Sequence, residues 1–215
     1  MLDDLWFSRS VVVVVRHDSR GTYGLIVNRP GDQTLQSLEE ELRGNMLEQQ
    51  HADVLSSFKA NKVRRGGPIP GRVQWLHSRP EVGGEPLACR GGGGRGGGGG
   101  GGGGSGDDEP TVYVGGDIAK AKELLEQGKA AASDFSVVCG ACRWKPRGLE
   151  EEIKHGCWIM AEGPPSLAKV GGQSGDMWRG MLSAMGGIYL DFGAMPTEAV
   201  LARSRQDIAP ADARG

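Results

Sequence analysis

Four groups of residues in this 215-residue chain have the types and spacing to do chemistry. The first is Cys139-Gly-Ala-Cys142, a C-x-x-C followed by Arg143, Lys145 and Arg147, whose positive charges would favour a thiolate. In redox sites of the thioredoxin kind this motif opens a helix, and the partial charge of the helix N-terminus stabilises the attacking sulfur. Here Cys139 falls at the end of an apolar run, and a helix starts no earlier than about Pro146. The second group adds His155 and Cys157, giving C-x2-C-x12-H-x-C, four soft ligands of the kind zinc takes. The H-x-C pair would span a helix end and a strand start, unlike the usual ligand knuckles. The third is Gly66-Gly67-Pro68 with His77. Paired glycines can cradle an anion with backbone N–H groups, but a proline donates nothing, so a tight turn between two strands is the stronger reading. The fourth is His17, Asn28 and Trp144, which lie near predicted strand ends and would join Gly66, Gly67 and His77 in a small polar-ligand pocket if the fold brings them together. The same residues could instead satisfy each other across sheet edges, which is the slightly stronger reading; on the pocket reading His77→Ala leaves stability nearly unchanged, whereas a structural His77 costs about 1 to 3 kcal/mol when removed. Nucleophile elbows, H-E-x-x-H and phosphate-binding Walker loops do not occur.

The elements that would position these residues begin with a β-hairpin. Val11 to Val15 is a β-branched run, read as a buried strand, and His17 to Gly21 supplies turn chemistry. Tyr23 to Val27 is the second strand, ended by Asn28-Arg29-Pro30. Thr34 caps a helix carrying Leu35, Leu38 and Leu42 at helical spacing, and Met46 to Ala60 has weak helical character. Val73 to Ser78 and Thr111 to Val114 read as strands, and Asp117 caps a helix running to Gln127. Phe135 to Cys139 reads as a strand and Gly140 to Trp144 as a loop. A helix follows from about Arg147 to His155, then a strand at Cys157 to Ala161, and last a helix over Met177 to Met185 with a Met/Trp/Leu stripe. Trp144 and Trp158 bracket the helix from about Arg147 to His155 and are expected to bury it. Cys139 is expected to resist alkylation while Cys142 reacts slowly.

Thirteen of the 38 glycines lie between Gly91 and Gly104, interrupted by Arg95 alone. Such a run cannot offset its ordering entropy and reads as a flexible coil with an end-to-end distance of roughly 20 Å. The sequence therefore predicts one α+β domain over residues 1–203, interrupted by a disordered glycine-rich insertion at about 90–109 and followed by a disordered tail, 204–215. With 25 basic and 27 acidic residues the net charge of −2 gives no global attraction for nucleic acid or anionic lipid. Four cysteines, three of them in the second half, suggest reduced thiols rather than a disulfide framework. The opening residues lack the basic flank and apolar segment of a secretory signal, and no stretch has the apolar length of a membrane span, so an intracellular soluble protein is expected.

Taken together, FSRSVVVVVRHDSRGTYGLIVNRP, VRRGGPIPGRVQWLHS, DFSVVCGACRW, GLEEEIKHGCWIMA and MWRGMLSAMGGIY resemble the AlgH family, over most of residues 3 to 192 outside the glycine run. His17, Gly21, Gly24, Asn28, Pro30, Gly66, Gly67, Pro68, His77, Gly140, Trp144, Leu149, Glu152 and Trp158 match its pattern residue by residue. The chain departs from it at Ala141, Cys142 and Arg143, where the family has Tyr, Ala and Gly, and at Gly148, where it has Gln, so the C-x-x-C is this chain's own variation. The last segment is similar to the green-plant branch, whose members are often plastid-targeted. The resemblance implies crossed or mixed β-sheets with flanking helices and a regulatory role, originally in alginate gene transcription, without an agreed ligand or DNA-binding motif. It points to a regulatory or binding module with no cofactor, acting on a protein or small-molecule partner in the cytoplasm, or in the chloroplast if a transit peptide precedes this chain. A thiol or zinc activity at Cys139, Cys142, His155 and Cys157, and polar-ligand binding around Gly66-Gly67-Pro68 and His77, are the alternatives.

Overall fold

A computed structural model describes residues 4–42, 56–87, 111–163, 166–170 and 176–194. The glycine run, the acidic residues after it, Cys89, most of the weakly helical stretch after Met46 and the tail 204–215 lie outside the described residues.

Nine consecutive residues from Ser136 to Trp144 form β7, the strand on which the fold is assembled. A short helix, α1 (Asp4–Phe7), leads into the hairpin of β1 (Val12–Asp18) and β2 (Gly21–Ile26). Asp18 closes the hairpin turn by accepting from the backbone and guanidinium of Arg20, bonds that hold its carboxyl below the usual range. Helix α2 (Leu35–Leu42) follows, with Thr34 Oγ1 accepting from the Ser37 N–H, as the sequence predicts. Strands β3 (Val63–Arg65) and β4 (Ile69–His77) come next, then β5 (Glu85–Pro86) and β6 (Tyr113–Val114). Helix α3 (Ile118–Glu126) is capped by Asp117, which accepts from the N–H groups of Ala119 and Lys120. After β7 come α4 (Gly148–Lys154), α5 (Ser166–Val170), α6 (Asp176–Met185) and α7 (Ile188–Ala194).

The seven strands form one sheet, in the order β1-β2-β7-β4-β6-β5 with β3 also on β7. All pairings are antiparallel except β3 with β7. Successive residues of a strand face opposite sides, and the core divides accordingly. Trp75 and Val137 pack on one face with Leu35, Leu38, Phe58, Ala121 and Phe135. Leu76 and Val138 pack on the other with Leu25, Val27, Val112, Val114 and Ala168. Phe58 lies edge-on to both Trp75 and Phe135, at 5.0 and 5.3 Å between ring centroids. This is the α+β class expected.

Four expectations are corrected. The valine run is an edge strand, with Val14 44 % exposed, because sheet order rather than composition decides which strand is flanked on both sides. Residues 140–144 continue β7 instead of forming a loop, since Gly140 takes a positive φ of 85° and bends the strand without ending it. Cys157 to Ala161 is not a strand, and Ile159 and Met160 are exposed. The helix between Trp144 and Trp158 stays on the surface with no buried residue.

Candidate functional site

The six residues that the sequence offers for a pocket fall in three separate places along β7. Gly66 and Gly67 lie at its middle. β3 runs parallel to β7 along residues 137–139, and β4 returns antiparallel on the opposite edge, with Ile69 beside Ala141. Residues 66–68 therefore carry the chain from one edge of β7 to the other, passing over its backbone. The Gly66 N–H donates to the Cys139 carbonyl at 2.6 Å, and the Gly66 carbonyl accepts from Ile26 of β2 at 2.8 Å. A Cβ on Gly67 would stand 2.4 Å from the carbonyl of Ala141, and one on Gly140 would stand 2.6 Å from the Gly67 oxygen. Main chain touches main chain here. The glycines are needed for that approach, and the N–H and C=O groups of Gly66 are both taken up by the sheet.

Asn28 is 5 % exposed and ties the hairpin to the chain before it. Its Oδ1 accepts from the Val11 N–H and its Nδ2 donates to the Arg9 carbonyl, both at 2.8 Å. Arg9 has φ of 54°, a conformation that side chains disfavour and that this bond helps to hold. His77 lies at the far end, next to Leu76, which pairs with Ser136. It is 0 % exposed, stacked on Tyr113 at 5.8 Å and against Phe135 at 5.4 Å. Its Nε2 lies 2.9 Å from the Gly115 carbonyl, so that nitrogen carries the proton, and Nδ1 accepts from the Arg79 N–H. A histidine so enclosed has no surface to offer a ligand.

His17 and Trp144 do meet, at the other end of β7. Eight residue steps separate Ser136 from Trp144, about 26 Å of extended strand, so this corner and His77 share no site. His17 pairs with Thr22 and Thr22 with Trp144, which places all three in one row across three strands. A Cβ on Gly21 would stand 2.2 Å from the Trp144 carbonyl, so glycine is required where the hairpin meets β7. The chain then reverses through Lys145-Pro146-Arg147, with Arg147 at φ of 66°, and α4 carries Glu152 back over the Trp144 ring. One carboxylate oxygen, Glu152 Oε2, accepts from both indoles, Trp144 Nε1 at 2.9 Å and Trp158 Nε1 at 2.6 Å. The two rings stand edge to face, 5.9 Å apart at 82°, and Phe7 packs edge-on against Trp158 at 5.4 Å. Both distances and angles lie in the favourable range for aromatic pairs. Facing outward, His17 Nδ1 shares a 2.7 Å hydrogen bond with Thr22 Oγ1, and its Nε2 lies 3.6 Å from Glu150 Oε1. About half of each of the His17 and Glu150 side chains is exposed. The corner combines a fixed aromatic wall with an exposed imidazole and carboxylate.

Sequence reasoning singled out His17 and Trp144, and Phe7 as part of an apolar cluster closing one end of the core, but passed over Thr22 and Glu150 and the role of Glu152. A half-buried indole needs an acceptor for its N–H, and asking where two tryptophans flanking one helix find theirs leads to the glutamate inside that helix.

The thiols do not assemble. Cys139 and Cys142 both lie on β7, Cys139 partly buried and Cys142 1 % exposed. Burial pushes the Cys142 thiol up to about 12, and its Sγ points to the Gly66 carbonyl at 3.6 Å. This reverses the reactivity expected of the pair, because the strand carries on past Gly140 into the core. Cys157 is exposed beyond α4. Among the described residues no three His, Cys, Asp or Glu side chains are grouped to hold a metal ion, so the set Cys139, Cys142, His155 and Cys157 is not brought together. No helix among them is long and apolar enough to cross a membrane.

Comparison with known proteins agrees with this architecture. The model of the family described as AlgH-like (DUF179) matches residues 1–190. The chain belongs to the AlgH-like family. It is 26 % identical over 198 residues to a UPF0301 protein of Chlamydia trachomatis, covering 91 % of this chain and 86 % of the relative. A UPF0301 protein of Actinobacillus pleuropneumoniae is 28 % identical over 163 residues, 75 % of this chain and 74 % of its own. In fold it is similar to the solution structure of the AlgH protein from Pseudomonas aeruginosa, with a TM-score of 0.53 and 17 % identity over 91 % of this chain and 88 % of that one. A crystal structure of a Corynebacterium diphtheriae protein gives a TM-score of 0.50 at 18 % identity, covering 88 % and 84 %. The likeness to the solved structures is one of fold.

Proposed function

We propose that this AlgH-like chain is a regulatory or binding module that carries out no chemistry of its own and recognises its partner at the corner formed by His17, Glu150, Trp144 and Trp158. The observation that supports this reading most directly is the double indole bond to Glu152. It fixes two aromatic rings without using the exposed polar groups beside them, and preorganised aromatic surface is what binding sites favour. Three of the groups that an enzymatic reading could call on are engaged in the fold. His77 is enclosed, Cys142 stays protonated and Asn28 holds backbone.

The test is capture from a cell extract by immobilised protein, comparing the wild type with a His17→Ala/Glu150→Ala double variant. Both side chains are about half exposed, so the change is expected to shift stability by no more than about 0.5 kcal/mol. The reading expects partners held by the wild type to be lost from the double variant at unchanged melting temperature. An identical set captured by both proteins contradicts it.

A further inference from the structure

The two edges of the sheet are built differently. The edge at β5 is two residues long, Glu85 and Pro86, and a proline cannot donate to a further strand. The edge at β1 is seven residues long, has no proline, and carries four valines in succession from Val12 to Val15 or their continuation from Val11. Among the described residues no strand pairs with its outer side.

The ladder fixes which groups face outward. Val11 gives its carbonyl to the Val27 N–H at 3.0 Å. In an antiparallel pair the inward and outward main-chain groups alternate, so Val11 and Val13 face β2 and the N–H and C=O groups of Val12 and Val14 face away. The Ile26 N–H agrees, since Ile26 is the cross-strand neighbour of Val12 and bonds Gly66 on the other side. The side chains divide as well. Val11, Val13 and Val15 pack toward the core on one face, while Val12 and Val14 lie on the opposite face, with Val14 44 % exposed. The features that normally guard an edge, a bulge between Val14 and Arg16 and the charges of Arg16 and Asp18, all come after Val14.

We infer that β1 is the docking edge for a second copy of this chain, which pairs antiparallel about a two-fold axis through Val13. This register is self-complementary. Val12 of each copy meets Val14 of the other, and both present outward N–H and C=O groups, so four main-chain hydrogen bonds form between groups that otherwise face water. Val13 meets Val13, and Val11 meets Val15. Each Arg16 falls opposite the uncharged Ser10 of the other copy, past the paired valines. The exposed valines of both strands form one apolar patch on one face, and the core continues on the other. An isologous contact of this kind closes at two copies and leaves, among the described residues, the blunted β5 edges outside.

Sedimentation velocity of the full chain from micromolar to submillimolar concentration tests the inference. The expected result is a reversible shift from 22.7 kDa toward twice that mass. Val14→Lys, which places a charge on an exposed edge position, should weaken association at least tenfold with its melting temperature unchanged. Met160→Lys, a change at an exposed residue outside the edge, should leave association as in the wild type. A single 22.7 kDa species at every concentration overturns the inference, even if the chain then takes up a strand from another protein. A dimer that survives Val14→Lys, or one that Met160→Lys dissociates, overturns it as well. Neither result bears on capture at His17 and Glu150.

Discussion

The middle of β7 and its C-terminal end use the same strand for opposite purposes. At the middle, backbone passes over backbone, and the residues that matter are those with nothing to spare: Gly66, Gly67 and Gly140, with Cys142 sealed beside them. At the end, side chains do the work, since Glu152 binds two indoles while His17 and Glu150 face water. A sequence motif shared with a family does not by itself mark a site. Part of it closes the fold, and another part builds the surface.

The largest effect that would break this contrast belongs to the crossing. Gly67→Ala puts a methyl group 2.4 Å from the Ala141 carbonyl on a residue with φ of 151°. Neither main chain can move without tearing the sheet, so a loss of about 4 kcal/mol or more, or failure to fold, is expected in chemical denaturation. Gly148→Ala at the corner, where the added atom would meet Trp144 at 3.5 Å, is expected to change stability little. Equal effects from the two glycines would erase the distinction.

His77→Ala comes next. The pocket reading of the sequence makes this an almost silent change and the structural reading does not, and the ring is enclosed and bonded at both nitrogens. Removing it empties an enclosed site and takes the partner from a part-buried carbonyl and N–H, at about 1 to 3 kcal/mol, which a denaturant midpoint will read. An unchanged midpoint would return His77 to the list of pocket residues.

Cys142 sharpens the contrast through pH. Its folded thiol is raised to about 12, above the ordinary value of 9.0, so the native state keeps a proton that the unfolded chain releases. The resulting stability is fully present below about pH 9 and is lost as pH rises toward 12, with a slope of at most about 1.4 kcal/mol per pH unit. Wild type should therefore lose stability faster over that window than Cys142→Ala, and parallel curves would mean that the thiol is not sealed. By alkylation and mass spectrometry, Cys157 should react first, Cys139 slowly, and Cys142 only on unfolding. The smallest effect is Arg147→Gly, which relieves a left-handed residue ahead of α4 and should stabilise by no more than about 1 kcal/mol.

Much of the fold was legible because local signals carried it. The valine run and its turn, the Thr34 and Asp117 caps and the stripe over Met177 to Met185 each specify an element through neighbours in the chain. What stayed hidden depends on partners distant in sequence. Gly140 reads as a strand end, and only the Gly67 backbone above it explains why a positive φ there bends β7 instead of stopping it. The valines read as buried, and the sheet order left them at an edge. Cys157 to Ala161 has strand composition, but Trp158 is held by Glu152 and Phe7 away from any ladder. Of the candidate site, His17 and Trp144 were visible as residues, whereas the row joining them through Thr22 exists only once β2 pairs with both β1 and β7.

The central claim is that recognition happens at the corner and not in the sealed middle or at the His77 end. Indole N–H resonances of 15N-labelled protein report on both regions at once, since Trp144 and Trp158 line the corner and Trp75 lies in the core beside Phe58. On adding the fraction of cell extract that the immobilised wild type retains, the account predicts shifts of the Trp144 and Trp158 signals with Trp75 unmoved. A shift of Trp75 while Trp144 and Trp158 stay in place would contradict it.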